Sequence, residues 1–277
     1  MFFRYLSAVL LMSLSLTAAS RRVLRVCADP NNLPFSNEAG EGLENRVAEL
    51  VAAHLEAELQ YVWWAERKSF LRNSLQAGLC DLVMGVPSTL DSVSVTRPYY
   101  QSTYVFVERT DQHLKIASLN DPRLKQLKIG IHLVGDNYAP PAHLLARRGL
   151  ASQLAGYSLY GPLGEPNPPS QLIDAVVNRD VDVAIIWGPF AGYFAQFQTA
   201  KLQITPVSPS AFLAVPFTYS ISAAVRKDHT SLRDEVNRVF TAECGKIAAI
   251  LSLYAIPRIQ EVPAKCDSSP PAAAFSH

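Results

Sequence analysis

A chain of 277 residues with 25 Lys and Arg against 24 Asp and Glu carries a formal net charge of only +1. Its basic residues are scattered, which gives no reason to expect nucleic acid or an acidic lipid surface as partner. With 49% hydrophobic residues, the chain is long enough for two modest domains, each with its own core.

The first twenty residues hold an early basic residue, Arg4, then an apolar run from Tyr5 to Ala18, then the small residues Ala18, Ala19 and Ser20. That order is a secretory signal peptide. The run is too short for a stable membrane span, although an uncleaved anchor is the competing reading. No lipoprotein cysteine follows it and no later segment could cross a membrane, so a free soluble exported protein is expected.

The mature part opens with a short strand, Leu24 to Cys27, closing on a breaker-rich turn from Asp29 to Phe35. Gly42 precedes a helix in which Leu43, Val47, Leu50, Val51 and Leu55 repeat at helical spacing, with Glu44, Arg46, Glu49 and Glu56 on the polar face. A second strand runs from Leu59 to Trp63, and a helix from about Ser69 to Ala77 ends at Gly78. The apolar run after Asp81 then reads as a strand buried on both faces, which requires helices on either side of its sheet. This β-α-β-α-β order implies parallel strands with right-handed crossovers.

Tyr99 to Arg109 reads as an extended segment leaving the first lobe. Lys128 to Leu133 starts the second lobe, and a helix begins near Pro140-Pro141 and stops before Gly149. Ser170 caps a further helix, Val181 to Ile186 forms a strand, and Phe217 to Val225 is an extended return crossing. Ser231 and Asp234 form a capping box for one long last helix with Leu232, Val236, Val239, Phe240, Ile247 and Leu251 inward. The expected organisation is a leader (1–20), the first part of lobe 1 (21–104), lobe 2 (105–219), a return to lobe 1 (220–262) and a tail (263–277). Crossings near Tyr104 and Ser220 form the hinge.

Four cysteines in an exported chain point to disulfides. Cys27 and Cys80 lie at two strands of one lobe and are paired. Cys244, on the last helix, is paired with Cys266, which would tie down a tail rich in Pro, Ala and Ser. Zinc is the competitor, but there is no Cys-x-x-Cys and the six His show no ligand spacing, so no metal site is expected.

Catalysis finds little support. There is no Gly-x-Ser-x-Gly elbow and no Gly-rich phosphate loop. Carboxylate pairs such as Glu56/Glu58 and Asp180/Asp182 read as solvated, and His132 as a satisfied core residue. The loops at strand C-termini are more telling, since ligands of open α/β sheets bind there. Lobe 1 presents Asp29, Asn31, Asn32, Phe35, Trp64, Arg67, Pro87, Ser88 and Tyr99; lobe 2 presents Asp136, Asn137, Trp187 and Tyr193. An aromatic wall with few fixed charges suits an apolar or planar ligand, or an inserted peptide segment.

Several stretches carry a family likeness. Gly42-Leu43, Leu75-Gln76-Ala77-Gly78 before Asp81, Arg97-Pro98-Tyr99-Tyr100 and Val225-Arg226-Lys227-Asp228 resemble the type II periplasmic solute-binding proteins of amino-acid ABC transporters. More closely, five stretches resemble the MoxJ/XoxJ type associated with PQQ-dependent alcohol dehydrogenases of methylotroph periplasms. They are Val26 to Asn37, Tyr61 to Trp64, Cys80-Asp81 with Gly85-Val86-Pro87, Thr96 to Val107, and Trp187 to Tyr193. The resemblance implies an α/β chain with the two-lobed periplasmic binding protein type II fold, each lobe a mostly parallel sheet flanked by helices. It also implies an accessory to a methanol or related PQQ dehydrogenase, acting in activation, assembly or cofactor delivery.

The chain departs from the amino-acid binders at two positions. They place an Arg after the Gly85-like position to pair the ligand carboxylate, and Pro87 to Thr96 contains none. They end the second lobe's key strand with an Asp for the ligand ammonium, where this chain has Trp187. A zwitterion buried without either partner would lose several kcal/mol. PQQ as ligand is weakly supported, because its three carboxylates want clustered Arg or Lys and only Arg67 and Lys68 lie near the mouth. The expectation is a non-enzymatic accessory protein without a cofactor of its own that binds a dehydrogenase or a segment of it. The alternative is a transport receptor for a small, weakly charged or aromatic solute.

Overall fold

The computed structural model describes residues 21–134, 137–160 and 167–257. The expected leader, Asp136, the Cys244–Cys266 pairing and the tail lie outside the described residues or rest on them. Among the described residues no helix is long and apolar enough to cross a membrane.

Strand β1 (Val23–Ala28) lies between β2 (Glu58–Trp63) and β3 (Leu82–Pro87) and is parallel to both. Between them in sequence come helix α1 (Leu43–His54) and a single-turn helix α2 (Phe70–Asn73). Strand β4 (Tyr100–Arg109) leads to β5 (Ile129–Val134), α3 (Pro141–Arg147), β6 (Leu154–Ser158), α4 (Gln171–Val177) and β7 (Val183–Trp187). Helix α5 (Gly188–Ala195), β8 (Leu202–Pro206), β9 (Thr218–Val225), α6 (Thr230–Ala242) and α7 (Cys244–Leu253) complete the chain. In the second half, β5 lies between β6 and β7 and is again parallel to both.

These nine strands, with the two-residue strands Ser94–Val95 and Asn137–Tyr138, form one eleven-stranded mixed sheet, the class expected. Its two parallel halves are joined by antiparallel crossings. The start of β4 pairs with β9 (Tyr219 opposite Ser102), and its end with β7 (Trp187 opposite Tyr104) and with β8. Strand β9 also pairs antiparallel with β3, with a register shift between Ser222 and Ala224 that faces Gly85.

Both faces of each half are covered, which is why the central strands are apolar throughout. In β1, Leu24 and Val26 pack under α1, α6 and α7, while Cys27 faces Phe70, Leu75 and Val83. In β7, Ala184 and Ile186 face α4 and α5, while Val183 and Ile185 face Leu144 and Leu145 of α3. Each such fully buried aliphatic side chain contributes about 1.5–3 kcal/mol. Cys27 and Cys80 are bonded, as the neighbouring strands predicted.

Several local expectations need correcting. The helix expected over Ser69–Ala77 is only the single turn α2, because Ser74 leaves helical geometry and its hydroxyl donates to the Phe70 carbonyl at 2.6 Å. The Ser231/Asp234 capping box does not form; Asp234 pairs instead with Arg233 at 2.7 Å. The long last helix bends at Glu243, whose carboxylate takes Lys246 at 2.9 Å and His54 at 3.5 Å. Ser170 makes no cap to the helix backbone, since it already has helical angles. Helix α5 was not anticipated: Gly188 and Pro189 open it directly after Trp187.

Candidate functional site

A pocket of about 370 Å³ lies where the parallel strands of both half-sheets end. Asn32 and Phe35 follow β1, Glu66 follows β2, and Gly85 and Pro87 close β3. From the other half come His132 and Val134 of β5, Tyr160 beyond β6, Trp187 at the end of β7 and Phe190 of α5. The crossing strands supply Tyr100, Tyr104, Tyr219 and Ile221.

The aromatic groups are held by one another. Trp187 meets Tyr104 at 5.5 Å and Tyr219 edge-on at 5.7 Å between ring centres. Phe190 takes Phe35 at 5.1 Å and His132 at 5.4 Å, both edge to face. The two crossings each bring a tyrosine, Tyr104 and Tyr219, against Trp187. These contacts therefore bridge the half-sheets.

Two carboxylates enter this apolar setting. Glu44 is in the first turn of α1, and its position follows from Gly42, where a Cβ would lie 2.0 Å from the Phe35 carbonyl oxygen. Only glycine lets the Phe35 loop lie on the start of α1. The Glu44 carboxylate then rests on Gly85, where φ is +75° and an added Cβ would fall 2.1 Å from Oε1. Among the described residues no hydrogen bond or salt bridge reaches that carboxylate. Burial, then the charge of Glu66, raises its pKa well above the usual range. Glu66 stands at the mouth, exposed as a residue, and its Oε2 accepts from Asn32 Nδ2 at 2.9 Å. Desolvation of that end, then the charge of Asp29, pushes it up to about 7, against the pull of the Asn32 amide. His132 is 3% exposed, its Nε2 lies 3.3 Å from the Pro169 carbonyl, and burial lowers it to about 4. It is a neutral ring at the pocket wall.

Of the residues expected at the cleft, the structure brings Asn32, Phe35, Pro87 and Trp187 to this pocket. Asp29 holds its rim, accepting from the backbone N–H groups of Asn31 and Glu66. Arg67 lines a neighbouring groove with Pro87 and Tyr160, its guanidinium 5.3 Å over the Tyr160 ring. The others lie elsewhere. Tyr99 is buried against Phe240, Tyr193 stacks on Tyr254, and the backbone of Ser88 donates to Ser220. Trp64 is 41% exposed, and Asn31 and Asn137 are exposed in short strands beside the lining residues Asn32 and Val134 without lining the pocket themselves.

The residues missed were Glu44, Glu66, Gly85, Tyr100, Tyr104, His132, Tyr160, Phe190 and Tyr219. Helical periodicity placed Glu44 on a polar face, but a first-turn residue of a helix that follows a strand end points back over the sheet. The fixed charges that the aromatic wall does carry are the two carboxylates Glu44 and Glu66. No Lys or Arg lines the pocket among the described residues.

The chain matches the bacterial extracellular solute-binding proteins, family 3, over residues 24–252. It is 31% identical over 247 residues to Protein MoxJ of Methylorubrum extorquens, covering 84% of this chain and 81% of that one. It is 26% identical to Protein MoxJ of Paracoccus denitrificans, over 84% of this chain and 88% of that one. The crystal structure of the periplasmic binding protein XoxJ from Methylobacterium extorquens AM1 superposes with a TM-score of 0.69 at 32% identity, covering 86% of this chain and all (100%) of that one. With a match across both half-sheets and relatives of this kind, the chain belongs to family 3 of the bacterial extracellular solute-binding proteins, has their type II fold, and lies on the MoxJ branch.

Proposed function

We propose that this protein is a periplasmic accessory of a PQQ-dependent methanol or related alcohol dehydrogenase, serving activation, assembly or maturation by binding the enzyme or a segment of it. The observation that carries the reading is the MoxJ and XoxJ likeness along nearly the whole mature chain. It acts by holding a client and performs no turnover. Residues 21–104 and 220–262 form one lobe and 105–219 the other. The two half-sheets support that division, since they meet through β4 and β9 near the expected hinge.

The pocket supports the same direction. A transport receptor for free amino acids needs a cationic partner for the ligand carboxylate, and among the described residues none lines this pocket. A carboxylate placed there would be left unpaired, and its charge would push Glu44 and Glu66 further towards their neutral forms. Retrieval of the dehydrogenase large subunit from native periplasm by the tagged protein, with apo and holo enzyme compared, tests the reading. Retention of either form supports it. Failure to retain either, together with tight uptake of a small neutral solute, refutes it in favour of a transport receptor.

A further inference from the structure

The pocket combines features that a neutral or anionic ligand would not use together. Its walls are the rings of Tyr100, Tyr104, Trp187 and Tyr219, and Glu44 lies at its base against Gly85. We infer that this pocket is a binding site for a single organic cation, an alkylammonium group seated against Glu44 and enclosed by ring faces, carried by a free amine or by a lysine side chain of the client.

Charge is the first reason. Glu44 and Glu66 both reach the cavity, while the nearby cations Arg67, Lys68 and Arg72 line the neighbouring groove, Arg67 held over the Tyr160 ring. A half-buried carboxylate with no donor among the described residues is costly, and a cation placed beside it removes that cost. The raised pKa of Glu44 has the same origin, burial and the like charge of Glu66, and an ammonium in the pocket would reverse both.

The walls are the second reason. Aromatic faces present negative quadrupole to a cation within about 6 Å and favour alkylated ammonium, whose apolar carbons also gain from burial. A divalent metal is a poorer fit. It wants six or more oxygen ligands, and among the described residues no group of three His, Cys, Asp or Glu is placed to hold one. A volume of about 370 Å³ admits an alkylammonium of a few carbons or the end of a lysine side chain.

This inference deepens the accessory reading and rests on it only for the lysine source. The test is calorimetric or NMR titration of the purified protein with tetramethylammonium, butylammonium and a capped lysine amide. Butanol and butyrate are the neutral and anionic isosteres. Saturable binding of at least one cation is expected, with both isosteres weaker by about tenfold or more. Glu44→Gln and, separately, Trp187→Leu should each weaken it by about tenfold while near-UV circular dichroism is unchanged. Binding of the lysine amide above the free amines assigns the source to the client, and the reverse order assigns it to a small solute. No saturable cation binding, equal binding of butanol, or full affinity in both folded variants overturns the inference. Cation binding without retention of any dehydrogenase overturns the accessory reading alone.

Discussion

Removing the Cys27–Cys80 bridge should cost this protein a large share of its stability. The bridge closes 53 residues of chain, and the loop-entropy relation assigns such a loop about 4 kcal/mol at 25 °C, through restriction of the unfolded chain. Both residues are buried, at 1% and 0% exposure, in a cluster with Phe70, Leu75 and Val83. Replacing both by alanine therefore adds about 1 kcal/mol per lost sulfur in packing. The double variant Cys27→Ala/Cys80→Ala should lose about 5–6 kcal/mol, close to the whole stability of many domains of this size. Urea unfolding followed by tryptophan fluorescence, under oxidising conditions, measures the loss. In a Cys244→Ala/Cys266→Ala background, reductant breaks this bridge but leaves its sulfurs in place, so about 4 kcal/mol should be lost there. The urea dependence of the unfolding free energy should also steepen as the unfolded chain expands. A loss below about 1 kcal/mol in both experiments would refute the entropic argument.

Two further perturbations probe the packing around the pocket. A Cβ at Gly192 would lie 1.9 Å from the Ala255 carbonyl oxygen, so Gly192→Ala must lift the segment after α7 off α5. A cost of about 1–3 kcal/mol is expected, read as a lowered melting temperature, and an unchanged melt would contradict the contact. Burial lowers His132 from 6.5 to about 4, so the fold favours its neutral ring. That contribution is complete above about 6.5 and is lost as the pH falls from there towards about 4. Between pH 7 and pH 5 it removes about 2 kcal/mol. His132→Gln should be less sensitive over that interval by the same amount, and a urea midpoint with unaltered pH dependence would rule out His132 as the cause.

Much of the fold was legible from local pattern. The apolar runs before Met84 and Trp187 could only be strands covered on both sides, and the helices between them forced the strands to be parallel. Pairing Cys27 with Cys80 followed from the same order. Helix ends were less legible, because Ser74 and Asp234 had partners that local spacing does not show: a carbonyl one turn back for Ser74, and Arg233 for Asp234.

The pocket divides along the same line. Phe35, Pro87 and Trp187 were readable, since each closes or follows a strand and strand ends face the ligand in this class of sheet. Glu44 was not, because its surroundings are made by residues distant in sequence: the Phe35 loop pressed on Gly42 and the bulged Gly85 of β3. Tyr104 and Tyr219 are over a hundred residues apart and meet Trp187 only because β4 and β9 pair between the half-sheets. The amino-acid order by itself determined the elements, their two-lobed arrangement and the absence of an Arg–Asp clamp at the two positions where the amino-acid binders carry it, since periodicity and residue chemistry are local properties. Only the tertiary structure decided that the remaining space is acidic as well as aromatic, because the hydration and partners of a carboxylate depend on what the rest of the chain packs around it.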